Sequence, residues 1–347
     1  MKVLVVFPDG LLTRAGGLRT QVERTCTELQ NLGIEIHFFN PSIVYNFKDF
    51  DLVHIFSMNT PTYFKALLFK DKLPIIFSSV MWRNGSTKKI RLLVELFRKS
   101  PYMVLNDTLT CREMSTWSDM ILPNTDAEAL WLKEAIGVDI KKCVTVPNGA
   151  DDNFKNKNLY ELKERAMLSD EYDYDFVLCV SVLSTRKNLI KLADSSFKLN
   201  YPLILVGPVV DESVKKHLDL LIKKGANIKI IGFLDNDSDT LGYLFKKCKV
   251  FCLPSYYETP GIAALEAGLC GANIVITEIG GTREYFNDYA IYIDPYNVES
   301  IENGLETAWN RDWNEIDKNS ISKHIRDHFS WEMVAKKTLD VYKVVSK

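Results

Sequence analysis

The feature that most restricts this chain is an alternation. Short runs rich in Val, Ile, Leu and Phe recur along its whole length, and amphipathic stretches of helical period lie between them. In the first half the apolar runs predict strands over residues 2–7, 34–40, 52–57, 74–80, 102–105, 120–122 and 143–146. Helical patterns at 17–32 and 126–136 are among those that separate them. In the second half the strands fall at 176–182, 202–206, 227–231, 250–253, 273–277 and 290–293, with helices over 188–199, 213–224, 240–247, 262–270 and 298–310. Strand–helix–strand repetition gives parallel sheets covered on both faces. With 347 residues the chain exceeds one ordinary core, so two such series predict an α/β protein with two Rossmann-like domains in tandem. The polar stretch PNGADDNFKNKN, residues 147–158, breaks the apolar rhythm and marks the boundary. The first domain is expected over 1–155 and the second over 156–330, with a closing helix in 331–347 that packs back on the first. In open parallel sheets ligands bind beyond the carboxyl ends of the strands, so the expected site is a central cleft that both sheets face.

Composition excludes several classes. Hydrophobic residues make up 46% and charged residues 25%, with a formal net charge of −2. That is a folded globular chain with no basic surplus for nucleic acid. No apolar run approaches the ~18 residues of a membrane span. The opening MKVLVVFPDG reads as a first strand and not as a signal peptide. Seven cysteines are scattered without a C-x-x-C pair, which fits free thiols in a reducing cytoplasm. His324 and His328 lie four apart with no third ligand near in sequence, and a solvated helix face is the expectation. Asp-x-Asp occurs four times, but never after a strand in the manner of a metal site. No metal is expected.

The informative stretch is SYYETPGIAALEAGLCGANIVITEIGGTREYF, residues 255–286. It follows the strand 250–253 and carries Glu258 and Glu266 with seven residues between them. Thr259 fits an N-cap and Pro260 a first helical position. A helix beginning there points free backbone N–H groups and a positive dipole end out of the strand ends, which suits a phosphate or diphosphate. Gly261 and the alanines after it allow close approach. Glu266, two turns in, can accept hydrogen bonds from a ribose cis-diol, and Glu258 can reach whatever lies beyond the phosphate. A nucleotide sugar satisfies all of these. On spacing alone the pair reads equally well as a loop charge and an exposed helix residue.

The same stretch resembles the Glu-x7-Glu signature of retaining glycosyltransferases of the GT-B fold, family 4, also called glycosyl transferases group 1. Other segments follow in that family's order: AGGLRTQVERTCTELQNLGIEIHFF, VTVPNGADDNF, VLCVSVLSTRKNL, LVGP, IIGFLD, GGTREYF and FSWEMVAKKTLDVYK. The resemblance implies transfer of a sugar from a nucleotide-sugar donor to an acceptor hydroxyl with retention, and no cofactor or metal. Glu258 would contact the donor sugar and Glu266 the ribose. Gly261 and Ile262, with Thr259 and Pro260 leading in, would serve the diphosphate. Lys187 matches the family's phosphate-binding lysine. Ile231, Gly232 and Phe233 match the segment that holds the base, and Gly16 and Gly17 the glycine loop that approaches the phosphate from the other domain.

Two departures stand out. Where the family carries an arginine five positions before the lysine this chain has Val182, and Arg186 is the nearest substitute, with Arg14, Arg19 and Arg83 next in line. The stretch FSSVMWRNG lacks the family's histidine, so Trp82 and Arg83 would shape that region. His54 lies on another strand and reads as either packed or functional. For the acceptor, a glycan, a glycolipid or a small molecule is open. Residues 86–99 put Ile90, Leu93, Val94 and Phe97 on one helical face, with Lys88, Lys89, Arg91, Arg98 and Lys99 around it. That is either a peripheral contact with the inner face of a membrane or a sheet-covering helix with a solvated basic side. A non-catalytic nucleotide-sugar-binding protein and a nucleotide-sugar epimerase of the same fold are the alternative functions.

Overall fold

The computed structural model describes residues 1–13, 16–99, 105–168 and 172–346. They form two compact units, Met1–Gly149 with Trp331–Lys347, and Ala150–Ser330.

The first unit is built on a five-stranded sheet of β1 (Lys2–Val6), β2 (Glu35–Phe38), β3 (Leu52–Phe56), β4 (Ile75–Ser78) and β5 (Met120–Leu122), in the order β2-β1-β3-β4-β5. Every pair is parallel. β3 and β4 are buried at every position, as their unbroken apolar runs require. Helix Trp331–Val345 packs on helix Gly17–Asn31 and completes this unit. It is fastened by Tyr342, wholly buried, whose hydroxyl meets Nδ1 of His54 at 2.7 Å. The run at 143–146 is not a strand. Val144 and Val146 donate to Ile121 and Pro123, but only Ile121 and Cys143 form a bridge. Pro123 has no N–H to donate in return, and Pro147 ends the ladder. The run at 102–105 lies outside the described residues except for Leu105.

The second unit carries β6 (Val177–Val180), β7 (Leu203–Val206), β8 (Ile228–Ile231), β9 (Val250–Leu253), β10 (Ile274–Thr277) and β11 (Ala290–Ile293). The order is β11-β10-β9-β6-β7-β8, all parallel. The chain runs outward from β6 to β8, returns to the other side of β6 as β9, and continues to β11. The reversal makes a topological switch point at the carboxyl ends of β6 and β9. The helices between are set by their own signals, such as the Ser238 cap on Asp239–Lys247 and the Asn297 cap on Val298–Asn310. All seven cysteines are free thiols.

Candidate functional site

The loop after β6 and the loop after β9 meet at this switch point. After β6 the chain makes one 3-10 turn, Thr185–Lys187. Asp211 holds its start, accepting from the Thr185 N–H at 2.5 Å and the hydroxyl at 2.9 Å. Asn188 holds its end. With φ 57° it turns the chain through the left-handed region, and its buried amide donates to the carbonyls of Pro254 at 3.1 Å and Pro295 at 2.8 Å. One side chain thus ties three loops together. The turn projects Lys187 inward, where its ammonium lies 2.5 Å from Oε1 of Glu258. Arg186 reaches the same oxygen at 3.5 Å, donates to the Tyr257 carbonyl at 3.1 Å and lies over the Tyr257 ring.

Glu258 is fixed from the other side. Its N–H donates to the Ile279 carbonyl at 3.0 Å. Gly280 presses so close that a Cβ there would lie 2.2 Å from the Glu258 carbonyl oxygen. The carboxylate is 6% exposed. Burial pushes its pKa up, but the charges of Lys187 and Arg186 and the Lys187 hydrogen bond outweigh that and hold it below the ordinary carboxylate value. Burial acts on Lys187 in the opposite sense to its charge partner and leaves its pKa below the ordinary lysine value.

The expected helix start needs correcting. Thr259 and Pro260 are not its cap and first residue. They are joined by a cis peptide bond ahead of it. The helix is Ile262–Leu269 with Gly261 as its N-cap. Gly261 has φ 80°, a left-handed conformation that interrupts the helical run and that glycine adopts without strain. A Cβ at Gly261 would meet Leu253 at 3.0 Å and Oε2 of Glu258 at 3.7 Å. The first turn therefore starts beside the Glu258 carboxylate, with Ala264 and Ala267 packed beneath it. Glu266 follows on the same helix, 6% exposed.

The remaining expected residues are dispersed. Ile231 ends β8 half-buried, and Gly232 and Phe233 follow it exposed. The Gly207 N–H bonds to the carbonyls of Ile231 and Gly232 and keeps this turn beside the end of β7. Gly16 and Gly17 belong to the first unit, at the start of Gly17–Asn31. Gly16 has φ 153° and open space around it. Arg14 lies outside the described residues. Arg19 pairs with Glu23 at 2.9 Å, and Arg83 is exposed. Trp82 stacks on Trp131. His54 is packed: it bonds to Tyr342 and to Ser78, stacks on Phe56, and burial pulls its pKa down to about 3. His324 is not on a solvated face. Its Nε2 meets the Tyr285 carbonyl at 2.8 Å, and His328 turns back on the His324 carbonyl. No group of His, Cys, Asp and Glu among the described residues could hold a metal ion.

Sequence reasoning missed Asn188, Gly280 and Glu128. Gly280 was visible only as part of GGTREYF. Glu128 is wholly buried and accepts from the Ser79 hydroxyl at 2.6 Å, the Met81 N–H at 2.8 Å and the Asn124 N–H at 2.9 Å. It thereby fixes the loop after β4, where Val80 sits at φ 43°, an unusual value for a β-branched residue. Nothing in the spacing of Glu128 sets it apart from a solvated helix residue.

Residues 163–326 match the family model described as glycosyl transferases group 1. An uncharacterized glycosyltransferase of Methanocaldococcus jannaschii is 30% identical over 191 residues, which is 52% of this chain and 47% of that protein. The O-antigen chain mannosyltransferase B of Escherichia coli is 27% identical over 182 residues, 49% of this chain and 46% of that one. The matched region thus spans about half the length of these curated relatives. Among solved structures, sucrose-phosphate synthase from Thermosynechococcus elongatus superimposes with a TM-score of 0.78 at 15% identity, covering 99% of this chain and 98% of that one. Anabaena HepE in complex with UDP-glucose gives a TM-score of 0.71 at 17% identity, covering 99% and 100%. The fold is GT-B.

Proposed function

We propose that this protein, whose residues 163–326 match the family model of glycosyl transferases group 1, is a glycosyltransferase that takes a hexosyl group from a nucleotide sugar to an acceptor hydroxyl with retention. The observation that carries this reading is the buried Lys187–Glu258 pair at the switch point, beside the first turn of the helix that also holds Glu266. The diphosphate sits on the N–H groups of Gly261 and Ile262 and on the Lys187 ammonium, with the Arg186 guanidinium in the place of the family arginine. Glu266 takes the ribose hydroxyls, the turn Ile231-Gly232-Phe233 takes the base, and Glu258 takes the hydroxyls of the sugar.

In the reaction the bond from the anomeric carbon to the donor phosphate oxygen breaks and its electron pair goes to that oxygen. The acceptor oxygen bonds the anomeric carbon on the same face, and its proton passes to the departing phosphate. Lys187, Arg186 and the helix end neutralise the charge that grows there, so the chemistry needs no metal. The relatives named for mannosyl transfer to a glycan support a glycan or glycolipid acceptor. The two ends of helix Thr87–Arg98 carry Lys88, Lys89, Arg98 and Lys99 around exposed leucines, which supports contact with an anionic membrane face from the cytoplasm. No helix among the described residues is long and apolar enough to cross a membrane.

The test is a thermal-shift screen against UDP, GDP and ADP and their hexose conjugates. One nucleotide class should raise Tm, by about 2.7 kcal/mol of stabilisation at a hundredfold excess over Kd. No shift with any of them sinks the reading.

A further inference from the structure

We infer that Glu258 is the resident counter-ion of the diphosphate site, and that Lys187 and Arg186 are handed between its carboxylate and the ligand in each catalytic cycle. The inference rests on the donor reading above and concerns how that site fills and empties.

Both cations of the switch point converge on one oxygen. Lys187 is 2.5 Å and Arg186 3.5 Å from Oε1 of Glu258. The side chains of Lys187 and Glu258 are 12% and 8% exposed. A buried ammonium without an anion is costly, so Glu258 stabilises the buried Lys187. The donor diphosphate brings two negative charges to a place where Glu258 already supplies one. The two cations then face three negative charges, one more than they neutralise. Lys187 and Arg186 therefore move to the phosphate oxygens, and the carboxylate, freed of them, turns to neutral sugar hydroxyls, which it can accept from without repulsion.

The fixed backbone makes this a side-chain event. Gly280 and the Ile279 carbonyl clamp the main chain of Glu258, Asn188 clamps that of Lys187, and only the ends of the side chains need to swing. After transfer the hydroxyls leave with the sugar, and the nucleoside diphosphate gains a negative charge when it releases to solvent the proton it took from the acceptor. Glu258 then competes for Lys187 again and favours product release. Glu258 is thus both a sugar ligand and the group that limits how tightly the product is held.

The experiment measures Kd for UDP, GDP, ADP and inorganic pyrophosphate by calorimetry on the full chain, for wild type, Glu258→Gln and Glu258→Asp, with transfer rates alongside. The nucleoside diphosphate that binds wild type should bind Glu258→Gln about fivefold tighter or more, while transfer collapses, because removing a like charge beside the phosphates is worth on the order of 1 kcal/mol. Glu258→Asp, which keeps the charge, should stay near the wild-type Kd. Equal or weaker binding to Glu258→Gln overturns the hand-over. If Glu258→Gln does not fold, wild-type crystal structures with and without the diphosphate decide. Lys187 Nζ should leave Oε1 for a phosphate oxygen, and an ammonium that stays on the carboxylate overturns the inference. Failure of wild type to bind any of the four removes the donor reading and this inference with it, whereas binding to wild type without tightening in Glu258→Gln removes the hand-over alone.

Discussion

At the scale of single residues, the site depends on groups that place Glu258 as much as on Glu258 itself. Gly280 has φ 107°, and any side chain there would collide with the Glu258 main chain. Gly280→Ala should lose about 1–3 kcal/mol from the backbone conformation alone, with a further cost from the contact, and lower turnover by at least about tenfold. Urea denaturation and a transfer assay test this, and an alanine variant with wild-type stability and rate would show that the clamp is slack. Glu266→Ala should weaken nucleotide binding by about 1.5–3 kcal/mol, the range of hydrogen bonds to a charged group. Unchanged Kd in a folded variant would take Glu266 out of the ribose contact. The two glutamates were legible in sequence through the resemblance of their stretch to the Glu-x7-Glu signature, since their spacing alone reads equally well as a loop charge and an exposed helix residue. Asn188 and Glu128 were not legible, because a buried polar residue that bonds loop carbonyls or amides has the same local pattern as a solvated one.

Among the elements, helix Thr87–Arg98 shows how far periodicity reaches. Its length was legible, and Val94 is buried with Ile90 packed beside the core. Leu93 and Phe97, expected on the same face, are instead 50% and 39% exposed, together with Leu92 at 70% and Leu96 at 63%. The helix packs on the helical segments Asp107–Trp117 and Leu132–Ile136, and a second apolar strip faces out between basic ends. Glu95 holds Arg91 and Arg98 at 3.2 Å each. Such a strip suits an anionic lipid surface. The protein should sediment with vesicles containing phosphatidylserine or phosphatidylglycerol, and a Leu92→Ser, Leu96→Ser variant should sediment about tenfold less at equal lipid. Equal sedimentation with neutral vesicles, or none with either, would end the membrane reading. The helix Ile262–Leu269 gives the complementary lesson. Its apolar run was readable, but its cap was displaced from Thr259 to Gly261 because Gly261 takes a left-handed turn that no composition rule demands.

Across the whole molecule, the two ends of the chain meet in one unit, and His54 is the joint. It lies on β3, bonds to Ser78 at the end of β4 and to Tyr342 of the last helix, and is 1% exposed. Its folded pKa of about 3 lies below the ordinary histidine value of 6.5, so the unfolded chain binds a proton that the folded one refuses. Stability from this source is complete above pH 6.5 and falls as pH drops toward 3, by roughly 1.4 kcal/mol per unit at most. Urea midpoints between pH 8 and 5 should show this slope in wild type. His54→Phe should be less stable at pH 8, by about 1–3 kcal/mol for two orphaned hydroxyls, with a flatter profile below it. A variant with the wild-type slope would mean that the acid sensitivity arises elsewhere. The sequence by itself determined the alternation, and hence parallel sheets, because a strand covered on both faces must be apolar throughout and a helix that covers it must be apolar on one side. The ligand class was not set by spacing, because the glutamate pair alone reads equally well as a loop charge and an exposed helix residue; the nucleotide-sugar expectation came from the resemblance of the whole series of segments. The tertiary structure alone decided that Lys187 and Arg186 share one oxygen of Glu258, that Asn188 ties three loops, and that the last helix closes on His54. Those contacts join residues from 66 to 288 positions apart, and only the strand order brings them within reach of a hydrogen bond.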